Sequence, residues 1–399
     1  MAGAAPRDDD LAALVALASL PGVGPATLRV CLENDPVDAW HAAREGRAHG
    51  HPALGHAVRR GPSGASTDGS ALVRAAAEVD AAELLARHLD AGISVAVLGG
   101  PGYPERLLDD PDPPVLVFAA GSLTALDGPT VAIVGTRNAT RLGCDTAASL
   151  SLDLARRGIA IVSGLALGID GAAHRPLVDR RPEEGLGPAD GRPVAVVAAG
   201  LDHRYPRRHA RLHDDVARIG AVVSEVPCGV GPARWRFPAR NRIIAGLADA
   251  LVVVESRSAG GSMLTVGDAL ARDVPVLAVP GHPSAVASAG ALDLLCDGAI
   301  PVRDAQDVLV AIGMGGAEAS APTSSAEPEI DPSEAAVLAE LGRGPRLLGE
   351  LIGATGMGLS DVSSVLLSLE RSGRIERSGG WFELCGAAPA QRSRAERGR

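Results

Sequence analysis

In the run Phe237-Pro-Ala-Arg-Asn-Arg242, an aromatic ring, two guanidinium groups and a carboxamide fall close together, and Arg236 precedes them. A stacking ring beside planar, permanently charged forks is the chemistry that grips unstacked bases and their phosphates. The 399 residues include only 3 Phe, 3 Trp and 2 Tyr, so a ring set among arginines carries weight. A second set, Gly135, Thr136 and Arg137, follows the apolar run TVAIV at Thr130. There a glycine lets the backbone turn sharply into a helix opening near Gly143. The helix amides, a hydroxyl and a guanidinium are expected to meet a phosphate. Ser163 and Gly164 follow the run IAIV at Ile159, and Gly260-Gly261-Ser262 follows ALVVVE at Ala250. The residues expected to hold an unpaired nucleic-acid strand are Gly135, Thr136, Arg137, Ser163, Gly164, Phe237, Arg240, Asn241 and Arg242.

The elements that position them are short apolar runs alternating with helix-length segments: VAVLG at Val95, TVAIV, IAIV, VAVVAA at Val194, AVVSE at Ala221, ALVVVE and VPVLAV at Val274. Near-continuous apolar strands of this kind predict a parallel sheet covered on both faces. The fold class is α/β, an extended Rossmann-like, doubly wound parallel sheet whose ligand sits beyond the carboxyl ends of the strands. Adjacent strands that end in glycine and hydroxyl residues would form one phosphate-binding crest.

Charge agrees with a defined anion site rather than a general nucleic-acid coat. The formal net charge is -10, yet between Gly200 and Arg242 nine arginines stand against four acids. All 38 basic residues are arginine. A dinucleotide fingerprint is not met: Gly135 lacks the second and third glycines, and the next strand ends in Ser163 instead of an acid. No cofactor is expected. The 5 cysteines are scattered without ligand or disulfide spacing, so neither a metal site nor a disulfide framework is expected. Asp170 and His174, four apart, read as a helix-capping acid and its partner, and Glu225 and Glu255 close two strands; no nucleophile–base–orienter set emerges. No apolar stretch is long and uninterrupted enough to span a bilayer, and a cytoplasmic protein with no membrane partner is expected.

Five segments are expected: N-terminal helices over 1–92, of SAM or helix-hairpin-helix type; the sheet core over 93–312; a flexible acidic linker over 313–331; a winged helix over 332–385; and a disordered tail over 386–399. The turn Pro21-Gly-Val-Gly-Pro25 between the first helices could offer amides to a phosphate, but with only Arg29 nearby it reads as a tight helical turn. The recognition helix of the winged segment, LSDVSSVLLSLERSG, has almost no positive charge before Arg371, which favours docking of protein over duplex DNA.

These motifs together resemble the DNA-processing protein A (DprA, or Smf) family. The resemblance is carried by YPERLLDDPDPPVLVFAAG, VAIVGTRNATRLG, IVSGLALGIDGAAH, GLDHRYP, VVSEVP, FPARNRIIAGLADALVVVE, GGSMLT and AVPG, in that order. It implies a non-enzymatic, homodimeric binder of single-stranded DNA. Such a protein protects incoming strands and helps load the RecA recombinase in natural transformation. Three departures stand out: Leu167 where the family often has a basic residue, Gly290-Ala-Leu292 in place of a glycine-threonine-asparagine turn, and the insertion from Arg175 to Pro193, which reads as a loop. The competing reading is a nucleoside-monophosphate phosphoribohydrolase on the same open sheet, but Gly260-Gly261 lacks the proline and following glutamate of that class.

Overall fold

The computed structural model describes residues 7–55, 69–178, 186–187, 189–315, 331–371, 374–378 and 380–384. Two compact units divide the chain, Met1–Gly316 and Ala317–Arg399. The first is built on nine strands: β1 (Ile93–Val97), β2 (Leu116–Gly121), β3 (Thr130–Val134), β4 (Ala160–Ser163), β5 (Pro193–Val196), β6 (Ala221–Ser224), β7 (Ala250–Val253), β8 (Val276–Ala278) and β9 (Ile300–Pro301). They lie in the order β1-β2-β6-β5-β4-β3-β7-β8-β9.

From β6 to β9 every pairing is parallel, but β1 pairs antiparallel with β2, and β2 with β6. The sheet is therefore mostly parallel, as expected of a doubly wound fold, with an antiparallel pair of strands, β1 and β2, added at one edge. The chain from β1 to β2 carries only the single turn of 3-10 helix Glu105–Leu107 and has no crossover helix to return it parallel. Successive strands β3 to β6 build outward on one side, whereas β7 and β8 build on the other. The strand order reverses between β3 and β7, where doubly wound folds leave a crevice.

Among the described residues, five helices precede the sheet: α1 (Asp8–Ser19), α2 (Pro25–Glu33), α3 (Pro36–Arg44), α4 (Gly69–Ala77) and α5 (Ala81–Asp90). Gly22, at φ +85, makes the left-handed turn between α1 and α2, and Pro25 takes the first helical position, where its missing N–H costs nothing. Leu14, Leu17, Leu54 and Leu72 join Phe118 and Val216 in one continuous apolar cluster, so helices and sheet share a core.

His88 locks the two together. Its Nδ1 donates to Leu84 O at 2.7 Å, its Nε2 accepts the Cys228 amide at 2.9 Å, and its ring centroid lies 5.0 Å from that of Phe118. The amide is an obligatory donor, which fixes the tautomer.

The sheet is covered by α6 (Arg141–Ala155), α7 (Ile169–Val178), α8 (Ala210–Ile219), α9 (Arg236–Gly246), α10 (Ser262–Leu270), α11 (Ala289–Cys296) and α12 (Ala305–Ala311). The insertion expected as a loop from Arg175 begins as the last turn of α7, because Leu177 and Val178 are buried. Its residues 179–185 and 188 lie outside the described residues.

The second unit is a winged helix: α13 (Pro332–Leu341), β10 (Arg346–Leu347), α14 (Leu348–Thr355), α15 (Leu359–Arg371), β11 (Ile375–Ser378) and β12 (Trp381–Leu384). Its strands are ordered β10-β12-β11 around a core of Val337, Leu351, Val362, Leu369 and Phe382. Most of the expected linker and the whole expected tail lie outside the described residues. Among the described residues no single helix is long and apolar enough to cross a membrane.

His88→Ala removes a packed ring and leaves the Cys228 amide without its acceptor, and is expected to destabilise the first unit by about 2–4 kcal/mol. Urea unfolding of the full chain measures this; a change below about 0.5 kcal/mol would show that the contact does not hold helices to sheet.

Candidate nucleic-acid interface

A cleft of about 720 Å³ opens where the strand order reverses, floored by Gly135 and Thr136 beyond β3 and by Gly260 and Gly261 beyond β7. Gly135 is needed for packing: a Cβ there would come within 2.5 Å of Ile169 Cγ1 and 2.7 Å of Glu255 O. The Thr136 amide donates to Glu255 O at 2.7 Å, drawing the ends of β3 and β7 together.

The N-terminus of α6, expected to meet a phosphate, is already occupied. Glu255 accepts the Thr140 amide at 2.9 Å and the Thr140 hydroxyl at 2.5 Å, and Thr140 caps the Gly143 amide at 3.0 Å. A carboxylate at that positive helix end takes the place of an external anion.

Helix α9 supplies the wall. Phe237, Arg240, Asn241 and Ile244 fall at i, i+3, i+4 and i+7, so the 3.6-residue repeat places all four on the face that lines the cleft. The buried Ile243 and Ile244 anchor the helix in the core.

Phe237 is half-buried. The Arg137 guanidinium stands 5.1 Å over its ring, and the Tyr205 ring lies 5.5 Å away, tilted by 50°. Beyond this cluster a smaller recess of about 60 Å³ is lined by Ala198, Ala199, His203 and Leu167. The ring cluster thus separates two openings.

Arg240 is buried under the end of β4, donating from Nη1 to Gly164 O at 2.9 Å and also to Val196 O. A Cβ on Gly164 would lie 2.6 Å from that guanidinium and 2.6 Å from Asp170 Oδ2. Burial brings Arg240 down to about 10, opposed by the Asp170 carboxylate, so it stays charged at neutral pH. Burial pushes Asp170 the other way, up, and Arg240 opposes that shift.

His174, expected to partner Asp170, does not: neither of its buried ring nitrogens has a hydrogen-bond partner. His209 lies against the same helix, with Nδ1 donating to Leu165 O at 3.0 Å and Nε2 accepting from Arg175 at 3.0 Å.

Two expected contacts face elsewhere. Ser163 is fully buried, and its hydroxyl donates to Ile133 O at 2.6 Å, tying β4 to β3. Arg242, five positions after Phe237, emerges on the far side of α9. There it donates to Glu225 at 2.5 Å and to Asp112 O at 2.8 Å, with the Asp112 carboxylate at 3.1 Å. Its charge is already matched by acids. Arg137 alone of the expected arginines is exposed.

The cleft adds residues that the sequence reading passed over as site residues: Tyr205, Arg234 and Arg257. Arg137, Arg234 and Arg257 are exposed, and none has a carboxylate partner among the described residues. Asp170 is the only acid among the described lining residues. Arg257 lies four positions beyond the end of β7, in the strand-end segment that borders the cleft. In the winged helix, a shallow groove bordering α15 is lined by Asp331, Glu334, Asp361 and serines, a poor surface for phosphate.

Burial holds His174 at about 4 and lowers His209 below the ordinary 6.5. The fold refuses protons that the unfolded chain accepts. For His174 this stability is complete above about pH 6.5 and falls as the pH drops toward 4, by about 1.4 kcal/mol per pH unit, and His209 adds to the fall in the same direction. Urea titrations at pH 7, 6 and 5 should show the fall, with a shallower slope for His174→Asn; equal slopes would contradict this assignment.

Over residues 94–313 the sequence matches the family described as DNA recombination-mediator protein A, and over 320–380 that described as DprA winged helix domain. It is 37% identical to the DNA processing protein DprA of Bacillus subtilis (strain 168) over 226 residues, 56% of this chain and 73% of that one. It is 38% identical to the putative DNA processing protein DprA of Mycobacterium tuberculosis (strain H37Rv) over 274 residues, 67% of this chain and 68% of that one. Among solved structures, the X-ray structure of DprA from Streptococcus pneumoniae matches with a TM-score of 0.59 at 28% identity, covering 77% of this chain and 98% of that one. The chain belongs to the DprA family of DNA recombination-mediator proteins.

Proposed function

We propose that the cleft between the ends of β3 and β7 binds single-stranded DNA with little sequence preference. On this reading the chain is a non-enzymatic mediator, acting as a cytoplasmic homodimer, that shields single strands and helps load the RecA recombinase. The observation that carries the reading is the half-buried Phe237 ring, with Arg137 over its face and Tyr205 beside it, flanked by Arg234 and Arg257 without acidic partners. A ring has no preference among bases, since every base has a π-face, and the unpaired guanidinium groups suit successive phosphates. A division of work between this cleft and a protein partner is supported by membership of the family and by an acidic, hydroxyl-rich α15 groove unsuited to duplex DNA.

Hydrolysis of a nucleotide is not favoured by any feature of the cleft. Glycosidic cleavage of that kind needs a carboxylate facing the sugar, whereas Asp170 lies buried opposite Arg240 and Glu255 caps α6.

Arg137→Ala, Arg234→Ala and Arg257→Ala should each reduce the log–log salt slope of single-strand affinity by about 0.7. Arg242→Ala should leave the slope unchanged and lower stability by about 3–5 kcal/mol, because Glu225 loses its partner in a buried site. Phe237→Ala should weaken binding by about 1–3 kcal/mol at every ionic strength. Fluorescence anisotropy with labelled oligothymidylate at several salt concentrations reads all of these. Wild-type slopes for all three exposed-arginine variants would contradict the reading. Loading is checked separately, by adding the full chain to RecA on single strands coated with a single-strand-binding protein; no gain in filament formation would remove that part.

A further inference from the structure

The helix that carries Phe237 presents a second aromatic ring on its opposite side. Trp235, immediately before α9, is 41% exposed, whereas Trp40 in the helical region is 5% exposed. The Arg236 guanidinium stands 4.9 Å over its ring, repeating the arrangement of Arg137 over Phe237. Arg234 and Phe237 line the cleft, whereas Trp235 and Arg236 line a separate opening. Trp235 and Arg236 border a narrow groove against Val23, Gly24, Pro25 and Leu28, the turn between α1 and α2.

Three properties fit this groove to the same ligand as the cleft. It adjoins the cleft across one turn of backbone, since Arg234 and Phe237 line the cleft and Trp235 and Arg236, between them in the chain, line the groove. Its one acid, Glu225, is already paired with Arg242 at 2.5 Å and so does not repel a phosphate with its full charge. Its rim is open at Gly24, whose backbone is extended and where a Cβ would meet nothing within 4 Å, so neither conformation nor packing requires the glycine.

We propose that Trp235 and Arg236 form a second stacking platform, on which a single strand leaving the cleft past Phe237 lays a further base. This rests on the reading of the cleft as a single-strand site and extends its footprint toward the N-terminal helices. It also gives the Gly-Val-Gly turn a place along the strand that its own sequence does not supply.

Tryptophan emission tests this directly. In the full chain carrying Trp381→Phe, Trp40 is buried and Trp235 is the one exposed indole. Oligothymidylates from about 4 to about 20 nucleotides are titrated while anisotropy and emission are recorded together. Short strands are expected to bind without changing the emission. Beyond a threshold length the emission should fall and the affinity should rise. Trp235→Ala should cancel that rise, a loss of about 5- to 100-fold for long strands only. Should that variant not fold, the emission of the native ring decides alone. Binding at every length with unchanged Trp235 emission overturns this proposal and leaves the cleft reading intact. Absence of binding at every length overturns both.

Discussion

A buried guanidinium is the constraint on which the site depends. Arg240 sits beneath the end of β4 with its charge facing Asp170 and its donors on the Gly164 and Val196 carbonyls. Burying such a group is costly, and the two carbonyls on Nη1 and the nearby charge of Asp170 offset part of that cost, while the buried Nε has no hydrogen-bond partner among the described residues. The arrangement fixes the roll of α9 about its own axis. Once that roll is set, the helical repeat places Phe237 and Asn241 in the cleft and Arg242 on the far side. Gly164 is part of the same device, since any side chain there would collide with the guanidinium.

The acids around the cleft serve the scaffold. Glu255 closes the N-terminus of α6, and Glu225 and Asp112 hold Arg242 beside the helical region. Each removes a positive feature from competition for a ligand or cancels a carboxylate that would repel one. What is left exposed is a set of three arginines with no acid beside them and one ring cluster. An acidic protein, at a formal -10, thereby presents a cationic cleft through local pairing and not through overall charge.

Much of this was legible in the sequence. Seven of the strands announce themselves as apolar runs, and the small residues after β3 and β7 mark the floor of the cleft. Strand β2 was not read, because VLVFAAG lies among prolines and a glycine and its antiparallel partners are distant in sequence. Arg242 turns away for a plain reason: the chain is already helical from Arg236, proline in a first turn removes no hydrogen bond, and five positions after Phe237 a helical residue points to the other side. Ser163 misled because a hydroxyl at a strand end can bind either a ligand or the neighbouring strand, and only the register decides. Arg257 could not be joined to Phe237 from the sequence, since nothing there shows that β3 and β7 are neighbours.

The most direct measurement is photocrosslinking of a 5-iodouridine-substituted single strand to the full chain, with the adducts located by mass spectrometry. The account predicts adducts on Phe237 or Tyr205, the rings at the mouth of the cleft. Adducts confined to the winged helix or to surfaces away from α9 would contradict it.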